Sequence, residues 1–248
     1  MSLKLVTLNI EGSKHFDRVF PFLQSQMADV ICLQEVFQID LDSITAKLGG
    51  QILFVPMTNM SRLRTRVDSP RGIWGIAIWL SERVKLIESQ TYYYRGSPTA
   101  ALTDNDPGYD SSRAVVLVRV SADGEEFVIA TTHFTWTPDG VADDRQKADF
   151  ATLMQALSTH PELILCGDFN APRGGEIFSA FCQHFTDNLP ADVRTTLDPE
   201  LHRYHNQVAL AVDTIFSTPS YLVKDVIVQS GVSDHKAIVA QIERRAEG

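Results

Sequence analysis

Leu163-Ile164-Leu165-Cys166-Gly167-Asp168-Phe169-Asn170-Ala171-Pro172-Arg173-Gly174 is the stretch that decides the fold of this chain. Its four leading apolar residues are too few for a helix and run almost directly into glycine, which predicts a short strand buried on both faces. Pro172, Gly174 and Gly175 then force a loop. Asp168 and Asn170 stand two residues apart, so in an extended segment they project to the same side. A carboxylate and a carboxamide at the mouth of a buried strand are out of place in a core. They suit a base or water-positioning group beside a hydrogen-bond donor for a phosphate or oxyanion. An isolated Gly-Asp pair is equally a polar turn. Here the same pattern, a polar residue at the end of an apolar strand, recurs along the chain.

Working outward, Leu3–Leu8 alternates as a strand and ends at Asn9, with Glu11 just beyond. Phe16–Met27 carries apolar residues at helical spacing. Val30–Leu33 is a second strand, ending at Gln34-Glu35, and Ile39–Leu48 reads as a helix closed by Gly49-Gly50. Ile52–Val55 is a third strand. Thr58–Gly72, polar and aperiodic, reads as a long surface loop. Gly75–Leu80 and Val84–Gln90 are expected as neighbouring strands, followed by a second loop over Arg95–Ser112. Ala114–Val120 and Phe127–Thr132 form a hairpin pattern around Ala122-Asp123-Gly124, and its second strand ends at His133. Asp143–Leu157 is an amphipathic helix with acidic residues at its N-terminus. A helix is expected near Glu176–Phe181, then a loop-rich stretch over Asp187–Gln207. Ala209–Phe216 reads as a strand interrupted by Asp213. Tyr221–Val228 and Ala237–Ile242 complete the set, with the turn Gly231-Val232-Ser233-Asp234-His235 between them. Strands outnumber helices, and several lack the one-sided alternation of a solvated sheet. Two packed sheets with helices outside satisfy that pattern, and a doubly wound α/β sheet is the alternative.

Composition bounds the class. The 248 residues show no repeat, low-complexity tract or linker, so residues 1–248 are expected to form one domain. A hydrophobic share of 44% supplies a sizeable core and excludes disorder. No apolar run reaches membrane-spanning length, and no charged region followed by an apolar one opens the chain. A soluble, cytoplasmic monomer without stable membrane association is therefore expected. Cys32 and Cys166 lie in apolar strand patterns and read as buried thiols, and no zinc spacing is present. The net charge of −9 argues against sequence-blind adhesion to nucleic acid or anionic membrane. It leaves a phosphate substrate open, because carboxylates gathered around a divalent cation contribute to the same sign.

The strand ends collect Asn9, Glu11, Glu35, His133, Asp168, Asn170, Asp213, Asp234 and His235. A carboxylate inside Ala211-Val212-Asp213-Thr214-Ile215-Phe216 needs a partner if buried, and His235 can supply it. The set offers oxygen ligands for a hard cation, a His–Asp pair and amide donors, with no triad-like Ser or Cys. That inventory suits metal-assisted hydrolysis by water.

The motifs Thr7-Leu8-Asn9-Ile10-Glu11-Gly12, Leu33-Gln34-Glu35-Val36, Thr132-His133-Phe134, Gly167-Asp168-Phe169-Asn170-Ala171-Pro172, Val212-Asp213-Thr214-Ile215-Phe216 and Ser233-Asp234-His235 occur in one order across nearly the whole chain. In this order they resemble the endonuclease/exonuclease/phosphatase superfamily. The resemblance implies a four-layer α/β/β/α sandwich, two packed mixed β-sheets flanked by helices, with the site on one rim. It implies Glu35 as the principal ligand of Mg²⁺ (or Mn²⁺), with Asn9, Glu11 and Asp234 near the metal. Asp168 would orient or deprotonate the attacking water, and Asn170 would hold a phosphate oxygen. His235, paired with Asp213, would bind the scissile phosphate, and His133 would contact phosphate or assist the leaving group. Arg145 falls where relatives often place a basic substrate contact, and Arg113 is a second candidate. Glu11 departs from the aspartate common at its position.

The resemblance implies a phosphate-ester substrate, with nucleic acid or a nucleotide-linked phosphodiester favoured over small phosphate esters or phospholipid head groups. Gly-Asp-Phe-Asn-Ala-Pro and Ala-Val-Asp-Thr differ from the motifs of inositol-polyphosphate 5-phosphatases. Ala211 and Val212 replace the aromatic that abasic-site endonucleases place before Asp. A non-catalytic binding member is disfavoured by the intact Glu35, Asp168, Asn170, Asp213 and His235. Arg62, Arg64, Arg66 and Arg71 stand out in an acidic chain. They are either solvated charge or contacts for non-reacting phosphates.

Overall fold

In the computed structural model, the described residues are 2–62, 72–98, 100–103 and 111–245. The first half supplies β1 (Ser2–Asn9), α1 (Phe16–Gln26), β2 (Val30–Phe37), α2 (Leu41–Leu48), β3 (Gln51–Arg62) and β4 (Ile73–Leu80). Then come β5 (Lys85–Arg95), β6 (Ala100–Thr103), β7 (Arg113–Ala122), β8 (Glu125–His133) and α3 (Asp144–Leu157). The remainder is β9 (Ile164–Asp168), α4 (Glu176–Phe181), β10 (Thr186–Asp187), β11 (Asp213–Ser217), β12 (Tyr221–Gln229) and β13 (Ala237–Arg244).

The strands make two mixed sheets, ordered β12-β13-β1-β2-β4-β3-β6 and β10-β11-β9-β8-β7-β5. Parallel pairs lie inside both: β1 with β2, and β8 with β9. Residues such as Leu5, Val30, Ile76 and Ile78 of the first sheet meet Val116, Ile129, Ile164 and Ile215 of the second in one buried cluster. The opposite faces are apolar too, and helices cover them. Val19, Phe20 and Leu23 of α1 pack on Val6, Leu8, Ile31 and Leu33, while Leu153, Leu157 and Phe181 pack on Val115, Leu117, Leu165 and Phe216. The result is the α/β/β/α sandwich.

Local choices fit this frame. The i, i+4 pair Val19 and Leu23, with Phe20 beside it, gives α1 its buried face, and Met27 closes it in the left-handed conformation at φ 47°. Asp143 caps α3 by accepting from the Gln146 N–H at 2.7 Å. Phe181 is fully buried and its ring packs within 4.8–5.6 Å of Phe134, Phe150, Phe169 and Phe216. Phe181→Ala is expected to destabilise the fold by about 3–5 kcal/mol. A denaturant midpoint shift much smaller than that would mean the cluster collapses around the cavity.

Four expectations change. Gly75–Leu80 and Val84–Gln90 are not neighbours: β4 pairs with β2 and β3, whereas β5 pairs with β7 in the other sheet. The run IWGIAIWL is buried along almost its whole length, as a central strand must be, while β5 has many exposed positions and forms an edge. The link between them passes from sheet to sheet. Thr58–Arg62 is strand, because β3 continues past Val55 to pair with β4 and β6. The rest of the arginine-bearing stretch, residues 63–71, lies outside the described residues, as does the Arg62 side chain. Part of Arg95–Ser112 is also strand, β6, with residues 104–110 outside the description. Finally, Asp213 opens its strand instead of interrupting it: β11 begins there and residues 209–212 are irregular.

Candidate active site

Strand register gathers the residues before any side chain is considered. His133 stands opposite Asp168 across the parallel pair β8 and β9, and Asp213 stands opposite Asp168 across the antiparallel pair β9 and β11. In the first sheet, Asn9 stands opposite Gln34 at the ends of β1 and β2. These are the C-terminal ends of both central parallel pairs, and they share one rim of the sandwich. Side chains tie the two sheets together there. The Asn9 amide donates to Asp168 Oδ2 at 3.1 Å and to Glu35 Oε1 at 3.3 Å. Below it, the fully buried Gln34 donates to Thr7 Oγ1 and to Thr131 Oγ1 of the other sheet.

Three of the residues take backbone conformations that side chains seldom adopt. Glu35 has φ 59° at a bulge in β2, where the register against β4 shifts between Leu33 and Val36. Glu11 and Asn170 each have φ 47°. Such strain persists where the surroundings hold it, and three of the eight non-glycine residues with positive φ among the described residues lie at this rim. Asn170 is held by its own N–H, which donates to Asp168 Oδ1 at 2.8 Å, and by its amide, which donates to the Phe134 carbonyl at 3.0 Å.

Asp168 lies at the centre. Its Oδ2 is 3.4 Å from His133 Nε2 and 3.8 Å from His235 Nε2, and His133 Nε2 is 4.0 Å from Glu35 Oε1. His235 Nδ1 meets Asp213 Oδ2 at 2.8 Å, and the Thr196 hydroxyl donates to the same oxygen at 2.6 Å. Burial opposes charge on His235, but Asp213 and Asp168 hold its imidazole well above the ordinary value. Burial, then Arg113 and His235, push His133 well below it, so that ring is neutral. Burial, then Asp213, raise Asp168 to about 6. Burial, then the carboxylate of Asp234, raise Glu35 to about 7, with a smaller push from Asp168. Asp234 is raised as well, by burial first and then by Glu11.

Glu11 touches this group indirectly: its N–H donates to Asn9 Oδ1 at 3.1 Å, while its carboxylate meets Lys14 and His15 at 2.8 and 3.0 Å. Arg145 stands at the start of α3, donating to Asp143 Oδ2 and the Trp136 carbonyl. Its neighbour Gln146 donates to the Asn170 carbonyl, which places Arg145 at the edge of the site. Arg113 is buried, donates to the His133 carbonyl at 3.2 Å and lies 5.6 Å over the Trp74 ring. Nothing in the sequence marks Thr196 or Trp74 as part of this site, and Gln34 stands in it only as the neighbour of Glu35. Thr196 lies in a polar stretch whose composition marks only a loop, and its role depends on pairing with a strand 17 residues away.

Oxygen donors on this rim fit a hard divalent cation. Two seats compete. Ligand atoms of Asp168, Asp213 and His235 lie within 4.8 Å of one another. Asp213 Oδ2, however, already receives His235 and Thr196. The carboxylates of Asp234 and Asp168 also push the Glu35 carboxyl up, a repulsion that a cation bound on the Glu35 side would relieve.

Comparison with known proteins follows the same outline. No curated protein sequence matches the chain. An endonuclease/exonuclease/phosphatase from Bacteroides vulgatus superposes with a TM-score of 0.73 at 18% identity, over 99% of this chain and 100% of that one. Mannosyl-6-phosphatase Bt3783 of Bacteroides thetaiotaomicron gives 0.71 at 14% identity, over 97% and 99%. TDP2 of D. rerio, complexed with a single strand DNA product, gives 0.69 at 17% identity, over 98% and 99%. At such identities these structures establish the fold. The sequence pattern of the Endonuclease/Exonuclease/phosphatase family matches residues 6–235, from the strand that carries Asn9 to His235 itself, and the chain therefore belongs to that family of hydrolytic phosphoesterases.

Proposed function

We propose that this protein is a divalent-cation-dependent phosphodiesterase that cleaves its substrate by direct attack of water. The observation that carries this reading is the meeting of Asn9, Glu35, His133, Asp213 and His235 around one buried aspartate, Asp168. Water attacks phosphorus, the bond to the leaving oxygen breaks, and Asp168 accepts the proton of the water. A carboxyl poised near 6 suits that transfer close to neutral pH. His235, kept cationic by Asp213, donates from Nε2 to a non-bridging oxygen and offsets the charge that develops there. Thr196 and Asp213 orient the ring. Asn170 contributes a further phosphate contact, and neutral His133 supports the leaving oxygen. Arg145 contacts substrate beyond the phosphate, while Arg113 acts from behind His133.

Glu35 is the principal residue that would hold Mg²⁺ or Mn²⁺, with Asn9 and Asp234 beside it and Glu11 acting through Asn9. When bound, the cation supplies Lewis-acid stabilisation of phosphoryl charge. A nucleic-acid or nucleotide-linked diester is the favoured substrate, in keeping with the DNA product held by the TDP2 neighbour. The mannosyl-6-phosphatase neighbour supports the second reading, a hydrolase of small phosphate esters. The test is a panel of single-stranded DNA, duplex DNA, RNA, a 5′-tyrosyl-DNA adduct, sphingomyelin and sugar and inositol phosphates. Turnover of at least one diester is expected with Mg²⁺ or Mn²⁺, and none in excess EDTA. Full activity in EDTA would sink the cation-dependent reading.

A further inference from the structure

The irregular stretch after Thr196 is clamped to the active-site rim. Leu197 bridges to His235, and Lys236 N–H donates to the Thr196 carbonyl at 2.6 Å. Asp198 takes N–H bonds from Glu200, Leu201 and Gly231 on its carboxylate, and its own N–H donates to the Asp234 carbonyl at 2.7 Å. The clamp holds a row of rings. His202 is buried with its ring 6.2 Å from His235, edge to face, and 5.5 Å from Tyr204. Tyr204 is 46% exposed, and the Arg203 guanidinium lies 4.8 Å over its ring. The row thus runs from the phosphate-binding histidine to a cation–aromatic pair at the surface.

Each member has unused capacity. His202 Nδ1 accepts the Tyr204 N–H at 3.4 Å, which leaves the proton on Nε2. Burial, then His235 and Arg203, lower this imidazole to about 4, so it stays a neutral donor. Among the described residues its Nε2–H has no hydrogen-bond acceptor. Arg203 has no carboxylate at ion-pair distance among them either, in a chain whose net charge is −9. A guanidinium 4.8 Å from the centre of an exposed ring, with no carboxylate partner among the described residues, has its donors available to a phosphate, and a planar base can stack beside the pair.

We propose that His202, Arg203 and Tyr204 form a subsite for the nucleotide flanking the scissile phosphate, taking its base by stacking and its phosphate through the guanidinium. This rests on the phosphodiesterase reading and names the substrate class of that site as single-stranded nucleic acid. The test is fluorescence anisotropy in excess EDTA, with a labelled single-stranded tetranucleotide and a base-free counterpart carrying tetrahydrofuran in place of each nucleoside. Because the phosphates are shared, the ratio of the two affinities reports the base alone. Wild-type protein is expected to bind the base-bearing strand about 10-fold more tightly, the effect of a single stacked base. Tyr204→Ala should bring the two affinities together and Tyr204→Phe should keep them apart. Arg203→Ala should weaken both strands. Equal wild-type affinities, no binding of either strand, a preference that survives Tyr204→Ala, or unchanged affinity in Arg203→Ala would each overturn the subsite. Hydrolysis of the panel substrates, measured in parallel, separates the two ideas. Turnover without a base preference sinks the subsite alone, whereas a preference without turnover in Mg²⁺ or Mn²⁺ sinks the phosphodiesterase reading.

Discussion

Asp168→Asn is expected to lower kcat by about 10²–10⁴-fold, the usual effect of removing a positioned general base. The side chain is fully buried, and its two oxygens do separate work. Oδ1 accepts the Asn170 N–H, while Oδ2 faces Asn9, His133 and His235. Asparagine can keep the Oδ1 contact and the volume, so the loop that follows stays in place. The charge also disfavours the fold, since burial and Asp213 raise this carboxyl to about 6. A carboxyl raised in the folded state contributes stability that is complete below its unfolded value and lost as pH rises through the folded one. Asparagine does not ionise, so thermal stability near neutral pH should hold or rise while turnover collapses. His235→Ala should lower kcat by about 10²–10³-fold through loss of a transition-state donor. Asp213→Asn should give a smaller loss, because Thr196 still orders that position. Steady-state kinetics and thermal melts on the three variants decide the matter. An Asp168→Asn protein that unfolds, or one that keeps wild-type kcat, would mark Asp168 as a structural group.

The parts of this molecule legible in its sequence are those fixed by local pattern. The run before Gly167 could only be a strand buried on both sides, and it became β9, in the middle of its sheet. Asn9, Glu35, His133, Asp168, Asp213 and His235 meet on one rim, because the parallel pairs end there and the antiparallel strands β11 and β13 begin there. What escaped were choices made by pairing over long distances. Nothing local in Val84–Gln90 says which sheet it joins; that depends on β7 leaving an edge open. Thr58–Arg62 looks like loop because its residues are polar, yet its backbone groups are paired by β4 and β6. Thr58 itself is fully buried and accepts the Ser112 N–H. Arg113 shows the same limit for function. The resemblance implies Arg113 as a second basic substrate contact, and no local pattern tells that its guanidinium packs under the His133 carbonyl and over Trp74. Thr196 and the 198–204 clamp are set by tertiary contacts to Asp213, Asp234 and His235, and composition carries no trace of them.

Glu35→Gln should abolish the response to divalent cations along with most of the activity, and pH gives the response a sign. Burial, Asp234 and Asp168 raise this carboxyl from 4.5 to about 7. For the cation-free protein, the stability linked to Glu35 is therefore complete below about pH 4.5 and is lost as pH rises through about 7. A cation binds the ionised form, so protons and cation compete for the same oxygens. The thermal stabilisation given by Mg²⁺ or Mn²⁺ over EDTA should be small near about pH 5 and grow towards about pH 8. Glutamine keeps the volume and can still meet Asn9, but it carries no charge at any pH. In Glu35→Gln the pH-dependent gain should vanish and kcat should fall by at least about 10²-fold, while the cation-free melting temperature at the higher pH equals or exceeds that of wild type. Thermal melts of both proteins across this range, with cation and with EDTA, give the answer without relying on turnover. A cation-induced gain that persists unchanged in Glu35→Gln would move the seat to the cluster of Asp168, Asp213 and His235. The paired variant Asp213→Asn then distinguishes the two seats. It should spare the gain if the cation sits at Glu35, because Asp213 is committed to His235 and Thr196, and it should remove the gain if the cation sits between the two aspartates.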